Sequence, residues 1–332
     1  MQAPLITALA ASLSLGATHS DDTVKLQLAP TSGTVSTYAV EILRTIQGGD
    51  LQVVMNGNEV PAQFLPKLEF EFTASTTATV TDHFLPGEND ITGPWRKRTL
   101  EDLTSAFDMS LTYSGETTDF AAEASSPLDD QPFLLGLDED GEVVARWADP
   151  ESKLDDEFLA RVRPELHLEG LLPDEPVAMG ATWEADASAV AAILDFSESL
   201  PWNWPSDAAE NVPGPASNTY EGTLELTVID LRTEDETVFC TVSLSGDIVE
   251  TGTRATDLAQ VPVADGTATE TTTTTFTVEG ELVWNVTAAH LASFELKGEG
   301  EGEQATVKDP GQPGPDYSST TRHKAQLEIQ VK

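Results

Sequence analysis

Cysteine is almost absent from this chain, since Cys240 is the only one among 332 residues. A single cysteine excludes an intramolecular disulfide, and none follows the N-terminal apolar run to carry a lipid anchor. Cys240 lies in phase with Val238, Val242 and Leu244, as expected on one face of a strand. A buried structural thiol is therefore favoured over a reactive nucleophile.

Positive charge is also scarce: 17 Lys and Arg stand against 57 Asp and Glu, a formal net charge of -40. Such a chain repels phosphate backbones and anionic membrane surfaces, so we expect no nucleic-acid partner. The acidity favours solubility and loose association with divalent cations, and it suits a salty medium without implying any function.

Long hydrophobic runs are missing as well. No stretch approaches eighteen apolar residues, which argues against an integral membrane segment. The first twenty residues contain no Asp, Glu, Lys or Arg, and Leu5 to Ala17 is an apolar run followed by small residues. A buried first strand is the alternative, but the composition and the aspartates that follow favour a signal peptide. We predict a signal peptide at residues 1–20, cleaved after Ala17 or Ser20, and an exported protein of the periplasm, cell surface or extracellular space.

Motifs of catalysis and cofactor binding are not found. The chain has no GxSxG, P-loop or GxGxxG sequence, and its five histidines form no HExxH or other short metal-ligand spacing. The acidic segment before Gly141 fails as a calcium loop, because Gly136 and Trp147 stand where Asp and Glu are needed. The sequence assigns no catalytic residue, no cofactor and no metal ligand, and it leaves the oligomeric state open.

Alternation of apolar and polar residues is the strongest positive signal. It runs from Leu68 to Val80 and recurs from Phe276 to Val286 and from Ala325 to Val331. Several such runs are about a dozen residues long, well above the usual strand. Asn56-Gly57 and Asp140-Gly141 mark hairpin turns. We predict a mainly β protein: a large curved antiparallel sheet, or sheets, with long strands and a few short helices.

Helical signals are few. We predict short helices at Asp155 to Arg163 and from a capping Asp186 to Leu194, and a short turn from Leu100 to Ala106. The glycine-rich stretch from Gly298 to Ser319 is predicted to be a mobile hairpin tip. The organisation predicted is a signal peptide at 1–20, an N-terminal β-rich half at 21–150, a helix-containing connection with a Pro-rich loop at 151–217 and a C-terminal antiparallel β half at 218–332.

Trp202 and Trp204, on either side of Asn203 and between two prolines, form the most suggestive local feature. Two indoles on a rigid exposed loop could stack on sugar rings or cover an apolar ligand, and they are the predicted ligand-binding residues. The alternative is that they seal an edge of the sheet, which the usual burial of tryptophan favours.

Three segments suggest a family: Val80 to Phe84, Leu171-Leu172-Pro173 leading to Gly180-Ala181-Thr182-Trp183, and Glu279 to Asn285. This pattern resembles a group of exported bacterial β-rich proteins of unknown function, a likeness that would cover most of the mature chain. In architecture alone, long successive strands with few helices are similar to the half-barrel of periplasmic lipoprotein carriers. Neither resemblance assigns a functional residue.

Three functional hypotheses follow. The leading one is a non-catalytic exported protein whose curved sheet binds an apolar ligand or a protein partner, because a concave apolar face needs cover. The second is an extracellular carbohydrate-active hydrolase, suggested by the many carboxylates and by Trp202 and Trp204. The third is a cell-surface structural component held by divalent cations, suggested by the net charge.

Overall fold

The computed structural model describes residues 23–86, 95–140, 142–152, 154–160, 162–163, 166, 168–206, 208, 212, 214, 216–258, 266–312 and 314–332. The predicted signal peptide and Gly141 of the predicted turn lie outside the described residues. The strands are β1 (Val35–Met55), β2 (Asn58–Glu59), β3 (Leu68–Phe84), β4 (Arg96–Tyr113), β5 (Glu116–Ser125), β6 (Phe133–Leu137), β7 (Val143–Trp147), β8 (Thr182–Asp186), β9 (Ser217–Glu234), β10 (Thr237–Asp257), β11 (Thr267–Asn285), β12 (His290–Lys308) and β13 (Tyr317–Val331).

All of these strands belong to one open antiparallel sheet. Its order is β7-β6-β4-β3-β1-β13-β12-β11-β10-β9-β8, while β2 pairs with β1 and β5 with β4. The first and last of these strands are neighbours inside the sheet, because β1 pairs with β13 from Val40 opposite Val331 to Met55 opposite Tyr317. The predicted mainly β fold with long antiparallel strands is confirmed.

The alternating segments place their apolar residues on one face, as predicted. In β13, Ala325, Leu327, Ile329 and Val331 are buried, while the residues between them point outward. The two-residue period of a strand explains why the predicted and observed faces agree, since successive strand residues face opposite sides of a sheet. The outer face of the sheet is rich in Thr, whose β-branched side chain favours extended backbone, and in Glu, whose charge favours solubility.

The two predicted hairpins are present. Asn56 and Gly57 have positive φ values of 49° and 76° between Met55 and Asn58, which pair across the turn. Positive φ at both central residues is what a two-residue hairpin turn requires. β6 and β7 pair from Phe133 opposite Trp147 to Leu137 opposite Val143, as the second turn signal predicted.

Most of the short helical pieces pack on the inner face of the sheet, whereas Ala62–Phe64 is exposed. Asp186 caps its helix as predicted, accepting a hydrogen bond from the Ser188 N–H at 2.8 Å. Of the predicted helix from Asp155 to Arg163, the described residues form one 3₁₀ turn at Asp156–Leu159, so the helix is shorter than expected. The helical pieces among the described residues include 3₁₀ turns at Ala62–Phe64, Asp156–Leu159, Glu169–Leu171 and Ala187–Val190 and helix α1 at Ala191–Leu194. We call the described residues between 187 and 216 the cover.

The cover contributes apolar side chains to the same core as the sheet. Val190, Ile193 and Phe196 are buried there against strand residues of both halves of the chain. The fold therefore has two layers, a curved sheet and a thin layer of turns and loops, around one core.

The predicted turn from Leu100 to Ala106 is wrong, because these residues lie within β4. Leu100 and Leu103 are both buried although they are three residues apart. The pairing of β4 with β3 shifts register opposite Thr77 and Thr79, where β4 contains one residue more than β3. Asp102, at φ 54°, lies at this shift, between Leu100 and Leu103. A β-bulge thus produces a spacing in sequence that imitates a helix.

The predicted hairpin tip from Gly298 to Ser319 is wrong for its first half. Residues up to Lys308 continue β12, with Gly298, Gly300 and Gly302 on the inner face and glutamates on the outer face. The glycine-rich sequence is an alternating strand in which the inner residues lack side chains.

A buried ion pair anchors the segment before β8 to the sheet. Asp82 on β3 accepts two hydrogen bonds from Arg98 on β4, each of 2.7 Å, and Arg98 donates a third to the carbonyl of Arg163 at 3.0 Å. Both side chains are fully buried. A paired, hydrogen-bonded geometry of this kind offsets the cost of desolvating the charges.

Replacing Leu282 by Asp should lower the free energy of unfolding by more than about 3 kcal/mol, because it places an unpaired charge in the core. Leu282 is fully buried on β11 between Val242 and Phe294. Thr277→Lys, on the outer face of the same strand, is the matched control and should change stability by less than about 0.5 kcal/mol. Urea melts measure both. Equal tolerance of the two changes would contradict the assignment of faces.

Candidate functional site

An ion pair across the concave face shows how strongly the sheet curves. Arg44 Nη1 on β1 lies 2.9 Å from Glu250 Oε1 on β10. β13, β12 and β11 separate these two strands, so their backbones would be about 19 Å apart in a flat sheet with the usual strand spacing. The side chains meet only because the sheet bends until β1 and β10 face each other.

Glycines on the inner face of β12 make room at the centre of this bend. A Cβ atom on Gly302 would lie 2.7 Å from Nε2 of His323, and one on Gly300 would lie 2.9 Å from the ring of Phe276. His323 and Phe276 therefore lean over β12. His323 is fixed there by a 2.8 Å hydrogen bond between Nε2 and the hydroxyl of Thr274.

A cavity of about 540 Å³ lies between the inner face of the sheet and the cover. The wall formed by β1, β3 and β4 is mainly apolar. Three rings follow one another there: Phe70 and Phe72 are stacked with centroids 6.1 Å apart, and Phe72 lies 6.0 Å from Phe107. Ile42, Ile46 and Ala74 complete this wall.

The opposite wall, formed by β10 to β13, is mainly polar. Arg254 and Glu270 form a salt bridge there, beside the pair of Glu250 and Arg44. The polar residues lining this wall are Glu250, Arg254, Glu270, Thr272, Thr274, Gln304 and His323. The cavity therefore offers rings to one side of a ligand and paired charges to the other.

Trp202 and Trp204, the predicted ligand-binding residues, both line the cavity from the cover. Each is half-buried, and the Trp202 indole N–H donates to the carbonyl of Ser197 at 2.7 Å. Asn203 between them pairs with Ser125 at the end of β5, its N–H donating at 2.8 Å. The loop is thus held to the sheet while both rings face the space inside.

Glu198 is a functional candidate that the sequence did not suggest. It lines the cavity from the cover and accepts a 3.0 Å hydrogen bond from Nδ2 of Asn218. The same amide donates to Asp195 at 3.0 Å, and Tyr220 donates to Asp195 at 2.5 Å. With 57 acidic residues in the chain, no local signal distinguishes Glu198 from the others.

Burial and neighbouring charges shift the pKa values of the ionisable groups around the cavity. Burial alone would lower the pKa of Arg44, but Glu250, Tyr220 and Glu198 outweigh burial and raise it. Burial raises the pKa of the Glu198 carboxyl, Arg44 opposes that rise, and Asp195 and Glu250 add to it. Burial lowers the pKa of His323. Burial thus favours the neutral forms of Glu198 and His323, whereas the acidic side chains favour the charged form of Arg44.

Cys240 is fully buried, as predicted, and lies in the core. Burial, aided by the charge of Asp230, raises the pKa of its thiol to about 12, so the thiolate is scarce at neutral pH. Among the residues that the structure describes, no group of three or more His, Cys, Asp and Glu side chains could hold a metal ion.

Comparisons with known proteins identify no relative that explains the site. No known protein family and no curated protein matches the chain. Two Pseudomonas aeruginosa structures each align over 88% of this chain. OccK7 (OpdD) is 6% identical, is covered over 98% of its own chain and has a TM-score of 0.19. OpdQ is 9% identical, is covered over 99% of its own chain and has a TM-score of 0.17. Such values carry no argument about fold or function. In the described part of the chain, no helix has the length and apolarity to cross a membrane.

Proposed function

We propose that the chain is an exported binding protein whose cavity holds an apolar small molecule. The observation that carries this proposal is the space of about 540 Å³ that the aromatic rings of β3, β4 and the cover line together. Cavities that bind small molecules have this order of volume and combine a largely apolar lining with a few polar groups.

The size of the space favours a small molecule over a protein partner. The cover already packs its own apolar residues on the concave face, among them Ile193, Phe196 and Leu200. What is left is a pocket rather than an open surface. A ligand alkyl chain placed against Phe72, Phe107 and Trp202 would gain about 0.8 kcal/mol for each methylene group removed from water.

Filling the cavity should weaken ligand binding without unfolding the protein. Ala74 lies on β3 and faces the cavity, so Ala74→Trp should weaken the binding of the uncharged dye Nile red by about tenfold or more. Thr77→Trp adds the same ring on the exposed outer face of the same strand and should leave the affinity unchanged. Dye fluorescence titrations measure both affinities. Equal affinities for wild type and Ala74→Trp would contradict binding in this cavity.

A hydrolase remains the second candidate because the cavity that Trp202 and Trp204 line also contains carboxylates. Glu250 and Glu270 are each engaged by an arginine, whereas Glu198 has a raised pKa of the kind that a general acid needs. Glycoside hydrolysis uses two carboxyl groups on either side of the bond that is cleaved.

An assay of reducing ends distinguishes the two candidates. The binding proposal predicts that wild-type protein incubated with envelope polysaccharides releases no more reducing ends than Glu198→Gln, because the cavity performs no chemistry. Release by the wild type that falls by about a hundredfold or more in Glu198→Gln would instead establish the hydrolase, since such a loss is typical of a missing general acid.

A further inference from the structure

We propose that the ligand is an amphiphile with a positively charged amino head group, and that this head group binds the carboxylate of Glu198. The inference rests on the proposed function, since it assigns the chemistry of the polar end of the molecule that the same cavity holds. It follows from how the charges around the cavity are already paired.

Among the described residues that line the cavity, Glu198 is the carboxylate that forms no salt bridge. Glu250 is paired with Arg44 and Glu270 with Arg254, whereas no ion pair joins Glu198 to any described residue. Its one hydrogen bond, from the Asn218 amide, carries no formal charge. An ammonium group donates three hydrogen bonds and would form a charge-assisted contact at this position.

Acidic groups outnumber basic groups at this end of the cavity. Asp195 lies behind Glu198 and shares the same Asn218 amide, while its second contact, with Tyr220, is also uncharged. Both arginines that line the space already hold a glutamate. A carboxylate head group would have to compete with one of those glutamates and would lie beside Glu198.

The negative charge of Glu198 and the net charge of the chain both favour a positively charged head group. Glu250, Tyr220 and Glu198 raise the pKa of Arg44 in spite of burial, so the Glu198 carboxylate already acts on a positive charge in this cavity. At -40, the whole chain also attracts cationic ligands over longer distances. An alkylamine keeps its charge at neutral pH, as the side chain of lysine does.

The apolar end of such a molecule has a defined place. Thr76 on β3 donates a 2.7 Å hydrogen bond to Ser197, which fixes the residue next to Glu198 above the apolar wall. Phe72 and Phe107 lie on that wall, and Trp202 closes the space from the cover. A head group on Glu198 therefore directs the tail toward the rings.

Three ligands with the same tail test the inference by isothermal titration calorimetry: dodecylamine, dodecanol and dodecanoate. We expect dodecylamine to bind about tenfold or more tightly than dodecanoate at neutral pH, with dodecanol between them. Glu198→Gln keeps an acceptor for Asn218 and should weaken dodecylamine by about tenfold while leaving dodecanol unchanged. Glu299→Gln removes the same charge from the exposed outer face of β12 and should change neither affinity.

Each result has a distinct meaning. Binding of dodecanol without a preference for the amine, or an unchanged amine affinity in Glu198→Gln, would overturn the head-group assignment and leave the binding function standing. An equal effect of Glu299→Gln would show that the net charge, and not Glu198, selects the amine, and would also overturn it. If none of the three ligands binds, the proposed function fails together with the inference.

Discussion

The architecture depends on how strongly the sheet curves. The contact between Arg44 and Glu250 shows this curvature. It joins β1 to β10 at 2.9 Å across a sheet that, if flat, would hold their backbones about 19 Å apart. Curvature of this degree crowds the inner face, and glycines on β12 relieve the crowding by giving space to Phe276 and His323. The same curvature leaves a space that the cover does not fill. The cavity is therefore a consequence of how the sheet bends.

Much of the fold could be predicted from period-two alternation, because a strand exposed on one face must alternate its residues. The strands β3, β11 and β13 follow from that rule. The rule failed where local chemistry altered the pattern. At Leu100 and Leu103 a bulge changed the spacing to that of a helix. In β12 the inner positions are glycines, so an alternating strand had the composition of a loop.

The site could be predicted only where a residue type is rare. Tryptophan is uncommon, so Trp202 and Trp204 were noticeable in the sequence, and the structure places both on the cavity wall. Nothing in the sequence distinguishes Glu198, Arg44 and Glu250 from other residues of the same type. Their roles arise from contacts such as the one between residues 44 and 250, which lie 206 positions apart in the chain. Only the curvature of the sheet brings those residues together, and the sequence pattern does not specify its degree.

A double-mutant cycle on Arg44 and Glu250 tests the central claim most directly. Arg44→Met, Glu250→Gln and the double variant are unfolded in urea, and the free energies of unfolding are compared with that of the wild type. The curved sheet predicts a coupling energy of about 1 kcal/mol or more, because the two side chains form one partly buried ion pair. Free energies that add within about 0.5 kcal/mol would show two independent residues, as in a flatter sheet, and would contradict the account.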